Sequence, residues 1–139
     1  MHSLRDLYTG QYANGGRGEK CPRTGAPLYD CWGLVMAGHE ALGAMVPDFA
    51  HDSEDVLTVA DEYGRQRDTG VWERLDAPVA PCVVAMRTHP RAPQAVNHFG
   101  VFIGGGKFLH ILRGCRVHVS SIDQHPYRQQ IAGYWRWRG

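Results

Sequence analysis

Apolar residues recur at three- and four-residue spacing in the first half of the chain and at every second position in the second half. From Cys31, the positions Leu34, Val35, Leu42 and Met45, with Gly38 and Ala41 on the same stripe, predict a helix. It runs to about Met45 and is stopped by Pro47. Residues 3–9 predict a short helix with Leu4, Leu7 and Tyr8 as its apolar side, and the Gly- and Pro-rich stretch 10–27 reads as loop. Val56, Val59, Ala60 and Tyr63 predict a second, surface helix capped by Asp52 or Ser53. After Pro78 and Pro81 the period becomes two. Residues 82–86, 97–103, 107–112, 116–120 and 131–137 then read as strands, the last of them near an edge. Helices followed by a run of strands predict an α+β fold, N-terminal helices packed on a C-terminal antiparallel sheet, as a single domain over residues 1–139.

Composition narrows the function without supplying one. The chain is 43% hydrophobic and 21% charged, ordinary globular material with a net charge of +1, so no nucleic-acid or anionic-membrane partner is expected. Four cysteines lack any C-x-x-C pair and eight histidines are scattered, so neither a metal nor a cofactor is expected. The N-terminal residues lack the apolar core of a signal peptide and no run reaches the length of a membrane span. The expectation is synthesis in the cytoplasm without membrane insertion. Residues 48–70 carry Asp48, Asp52, Glu54, Asp55, Asp61, Glu62 and Asp68. Such a segment reads first as a solvated face and second as a lid or docking surface beside a site.

Candidate chemistry centres on Cys31. Asp30 is a good N-cap residue, which puts Cys31 in the first turn, where unpaired N–H groups and the helix dipole favour a thiolate. Asp30 works against this, so a cationic partner is required. Downstream, Gly104-Gly105-Gly106 separates two strands. A three-residue loop puts His98 opposite Leu112 and Gly100 opposite His110, so the two histidines share a face, 5–8 Å apart at Cβ. A two-residue turn sends them to opposite faces. One imidazole can take the thiol proton while the other orients it.

These residues resemble a known family. Asp30-Cys31-Trp32-Gly33-Leu34-Val35 is similar to the Asp-Cys-Ser-Gly-Leu-Val signature of the NlpC-type cell-wall cysteine peptidases. Asn97-His98-Phe99-Gly100-Val101-Phe102-Ile103-Gly104 and Phe108-Leu109-His110 resemble the strands carrying that family's histidine and third polar residue. Gly10-Gln11-Tyr12-Ala13-Asn14-Gly15-Gly16 resembles its Gly-x-x-Tyr-x-x-Gly-Gly lead-in. The resemblance implies a papain-like fold and a cysteine endopeptidase acting on peptidoglycan stem peptides. In it Cys31 is the nucleophile, His98 the base, His110 the orienter and Tyr12 a site-lining hydroxyl donor, with Tyr29 the alternative source of that hydroxyl. Trp32, in place of the usual small residue, and the Ile131-Ala132-Gly133-Tyr134 run resemble members of the phage and prophage tail-associated subgroup. That implies a location in a phage or phage-like tail (the virion), with other tail-tip or hub proteins as partners. The alternative is a structural tail-assembly protein with little or no hydrolytic activity, Trp32 obstructing the cleft.

Overall fold

The computed structural model describes residues 3–49 and 52–139. Readings that fall on residues 1–2 of the N-terminal stretch and 50–51 of the acidic segment lie outside the described residues. In chain order, α1 (Leu4–Leu7) leads to β1 (Gln11–Tyr12), β2 (Arg17–Lys20) and β3 (Pro27–Tyr29). Then come α2 (Cys31–Ala41), α3 (Val56–Asp68), β4 (Trp72–Leu75) and β5 (Cys82–Met86). The chain continues through β6 (His98–Gly104), β7 (Lys107–Ile111), β8 (Val117–Ser121), α4 (Tyr127–Gln130) and β9 (Ile131–Trp137). The last six strands form one antiparallel sheet, ordered β4-β9-β5-β6-β7-β8.

Helix α2 packs across β6 and β7. Leu34 joins Val101, Leu109 and Ile111 in one buried cluster, and Val35 joins Trp32, Val83 and Phe99 in another. Its glycines are explained by contact. A Cβ on Gly38 would stand 2.5 Å from Val101 Cγ1, and one on Gly33 only 2.0 Å from the Gly16 carbonyl oxygen. The helix therefore gives up propensity to lie flush on the sheet and on the segment before it. The opposite face of the sheet is also covered: Cys82, Val84, Met86, Phe102 and Phe108 pack beneath Ile122, Tyr127 and Tyr134.

Several sequence expectations are corrected. The stretch 10–27 is not simply loop but carries most of a small sheet ordered β1-β3-β2, whose strands of two to four residues are too short to show a period. Helix α2 ends at Ala41 rather than near Met45. Gly43 takes the left-handed conformation (φ +80°), and the N–H groups of Ala44 and Gly43 close on the carbonyls of His39 and Glu40. The cap of α3 is Asp55, whose side chain accepts from the Thr58 N–H, not Asp52 or Ser53. Strand β4 was not foreseen, and it sets β9 one strand in from the edge.

The hairpin between β6 and β7 reconciles two exclusive expectations. Its turn is two residues, Gly105 and Gly106, with Gly104 paired to Lys107. The register then slips between Phe102 and Gly104, so that Phe102 faces Phe108 and Val101 faces Leu109. One extra residue on β6, at Ile103, restores the alternation expected of a three-residue loop and keeps both histidines on one face.

Candidate active site

The N-terminus of α2 is held by a dense set of bonds around Asp30. Its carboxylate accepts from the Gly33 N–H at 2.7 Å and the Gly15 N–H at 3.1 Å, and pairs with Arg17 Nη1 at 2.7 Å. Arg17 also donates to Asp48 (2.9 Å) and to the Phe49 carbonyl (3.3 Å), tying β2 to the chain beyond α2. Arg17 is thus a cation paired with Asp30 rather than with the sulfur, and nothing in its spacing from Cys31 marks it in the sequence. It cancels part of the field that Asp30 puts on the neighbouring thiol.

Cys31, Tyr12 and His98 line one cavity of about 190 Å³, together with Ser53, Glu54 and Arg113. Cys31 and His98 are each only 6% exposed, and both line that cavity. Burial pushes the Cys31 thiol up to about 12, Asp30 adding to the rise; N–H groups of Phe99 and Trp32 and the charge of Arg17 oppose it. Burial likewise takes His98 down to about 3, with His110 adding. Burial therefore outweighs the helix N-terminus at Cys31, and the thiolate expected from its first-turn position is disfavoured.

Behind His98 the polar chain continues. His98 Nε2 lies 3.0 Å from His110 Nδ1, and His110 Nε2 lies 3.0 Å from Ser120 Oγ. His110 is fully buried, between the rings of Phe108 (centroids 4.7 Å apart) and Tyr127 (5.0 Å). Burial, then the proximity of His118, takes it down to about 4. With its Nε2 engaged by His110, His98 has Nδ1 left to serve another group.

Tyr12 directs its hydroxyl at the rim of the cavity, donating to Glu54 Oε2 at 3.0 Å and lying 3.1 Å from Ser53 Oγ. Burial is the main reason its phenol is pushed up to about 12, which keeps it a neutral donor at ordinary pH. Asn14 bonds Asp52 (2.8 Å) and Ser53 (2.6 Å), so residues 52–54 are stitched along the lead-in segment. Tyr29, the other candidate, is buried against Leu7 and Leu34 and lines no part of the cavity.

Of the residues singled out in the sequence, Cys31, His98 and Tyr12 therefore share one cavity and His110 stands behind His98. Trp32 does not obstruct that cavity. Its ring is buried among Phe49, Trp72 and Phe99, and its Nε1–H donates to the Pro47 carbonyl at 2.9 Å. Ser120 was missed: its place depends on the β7–β8 register, which sets Ser120 opposite Phe108. Ser53 was read as a helix cap and Glu54 as part of an acidic face, and their bonds to Tyr12 bring both to the site.

Residues 9–136 match the model of the NlpC/P60 family. Among solved structures the chain is similar to NlpC1 of Trichomonas vaginalis (23% identity, TM-score 0.58, covering 95% of this chain and 41% of that one). It is similar also to NlpC2 of the same organism (20% identity, TM-score 0.60, 96% and 43%). A third is a protein of Staphylococcus aureus described as similar to lipoprotein, NLP/P60 family (18% identity, TM-score 0.58, 98% and 40%). The chain thus spans about two fifths of the length of each. No curated protein matches it.

Proposed function

The chain belongs to the NlpC/P60 family, whose members are cell-wall cysteine peptidases or amidases with this α+β, papain-like fold, and from that premise we propose that it hydrolyses peptide stems of peptidoglycan through a thioester on Cys31. The observation that carries the reading is the cavity shared by Cys31, His98 and Tyr12, with His110 bonded behind His98.

In this mechanism the Cys31 sulfur attacks the scissile carbonyl carbon as its proton passes to His98 Nδ1. Burial disfavours each charge alone, so transfer is coupled to attack rather than completed beforehand. The Nε2–H of His98 donates to His110 Nδ1 throughout, holding the ring in the tautomer that leaves Nδ1 free. The oxyanion is received by the Cys31 backbone N–H, which has no acceptor within its own helix, and by the Tyr12 hydroxyl once it leaves Glu54. His98 returns the proton to the departing amine. Water, deprotonated by the same nitrogen, then cleaves the thioester and releases the acid.

The bond implied by the family resemblance is D-Glu to diaminopimelate or a near relative. Trp32 and the Ile131–Tyr134 run support assignment to a phage or phage-derived tail tip, where neighbouring tail proteins would deliver the domain to the wall. Because Trp32 fills the aromatic cluster and lies outside the cavity, the structural reading loses its main physical argument.

The test is labelling with iodoacetamide across pH 5 to 9, read by intact mass, on wild type and His98→Ala. Labelling of Cys31 that depends on His98, and is lost in His98→Ala while labelling of Cys21, Cys82 and Cys115 is unchanged, is the expected result. A silent Cys31, or labelling unchanged in His98→Ala, would remove the nucleophile from the account.

A further inference from the structure

Ser120 is a small polar residue with a buried side, 7% exposed, on a strand whose neighbour Val119 is 51% exposed. Strand β8 pairs with β7 so that Ser120 faces Phe108 and His118 faces His110. Ser120 therefore sits diagonally beside His110 on the same face, and its Oγ reaches His110 Nε2 at 3.0 Å. Among the described residues, Ser120 Oγ is the hydrogen-bond partner of Nε2. Phe108 and Tyr127 close over it, and the ring is inaccessible to water. The near side is closed too: a Cβ on Gly100 would lie 3.3 Å from His110 Cβ, so the backbone of β6 abuts the ring's own strand. The titratable groups facing His110 are His98 on β6, His118 on β8 and Tyr127 on α4.

We propose that Ser120 is a positioning residue that sets the direction of the proton chain running from Cys31 through His98 and His110. This rests on the reading of Cys31 and His98 given above. The argument is one of donors and acceptors. For His98 to serve as base its Nδ1 must be bare, so its proton sits on Nε2 and is donated to His110 Nδ1. His110 then carries its own proton on Nε2, where the Ser120 hydroxyl, able to donate or accept, serves as its acceptor. Remove that oxygen and the proton on Nε2 becomes a buried, unsatisfied donor, which is costly. The proton moves to His110 Nδ1, donates back to His98 Nε2, and drives the His98 proton onto Nδ1, facing the sulfur. The bond between the rings survives in length, yet the base is lost. A hydroxyl on β8 thus keeps open the tautomer in which an imidazole two residues removed in the chain of bonds accepts a proton, and its loss penalises that tautomer.

The experiment uses the full chain labelled with ¹⁵N-histidine, reading the tautomers of His98 and His110 from nitrogen chemical shifts and two-bond couplings near neutral pH. Wild type, Ser120→Ala and Ser120→Thr are compared, and Cys31 alkylation rates are measured on the same samples. Wild type is expected to carry Nε2–H on both rings, and Ser120→Ala Nδ1–H on both with Cys31 labelling slowed about tenfold. Ser120→Thr, which keeps the hydroxyl, should behave as wild type. A wild-type His110 protonated on Nδ1 would overturn the proposal without any variant, and so would unchanged tautomers in Ser120→Ala. The tautomer readout needs no turnover: a silent Cys31 in a correctly oriented wild type defeats the peptidase reading and leaves the role of Ser120 standing.

Discussion

Lowering the pH from 7 to 5 should cost the fold about 4 kcal/mol through two histidines alone. His98 and His110 are buried neutral, held down to about 3 and about 4 chiefly by desolvation. In the unfolded chain the same rings titrate near 6.5. Below that value the unfolded state binds protons that the folded state refuses. Stability is therefore complete above about pH 6.5 and falls as the pH approaches the folded values. At pH 5 each unfolded imidazole is almost fully charged while its folded counterpart stays neutral, which amounts to about 2 kcal/mol per ring. His39, also lowered by burial, acts in the same direction. Against a typical total of about 5–15 kcal/mol this is large, on the order of a 10 °C fall in Tm. Urea unfolding followed by tryptophan fluorescence at the two pH values measures it. The matching control is His98→Gln/His110→Gln, whose loss over the same interval should be smaller by about 4 kcal/mol. Parallel losses in wild type and control would refute the claim that these rings are buried uncharged.

Three further outcomes follow from the packing. Gly33→Ala places a methyl 2.0 Å from the Gly16 carbonyl, so it should cost about 1–3 kcal/mol and displace Cys31 from His98; calorimetry with an alkylation assay checks both. Tyr12→Phe removes the hydroxyl now shared with Ser53 and Glu54, and as an oxyanion donor its loss should lower kcat roughly 100-fold with KM little changed. A loss confined to KM would assign Tyr12 to substrate binding instead. Trp32→Ala empties the centre of an aromatic cluster and should cost about 3–5 kcal/mol, seen as a fall in denaturant midpoint.

What was legible in the sequence is what local chemistry specifies. Asp30 announces the start of α2, and the alternation through Phe99, Val101, Leu109 and Ile111 announces the buried face of β6 and β7. The shared face of His98 and His110 was legible on the assumption of a three-residue loop. The molecule reaches it differently, through a two-residue turn and an extra residue at Ile103. What stayed hidden depends on partners distant in sequence. Strands β1 to β3 show no period because they are fixed by one another and by Arg17 bonding to Asp30 and Asp48. Strand β4 exists through β9, with Glu73 bound to Arg136 at 2.7 Å some sixty residues away. Ser120 and Glu54 acquire meaning only once β8 and the segment before α3 are brought to the site.

The central claim is that Cys31 performs peptide hydrolysis, and it is tested most directly by digestion of purified peptidoglycan. Wild type, Cys31→Ala and Cys82→Ala are compared, and released stem fragments are identified by mass spectrometry. The account predicts new carboxyl and amino termini within the stem for wild type and for Cys82→Ala, whose thiol is buried on the far face of the sheet, and none for Cys31→Ala. Fragments released equally by Cys31→Ala, or none from the wild type, would contradict it.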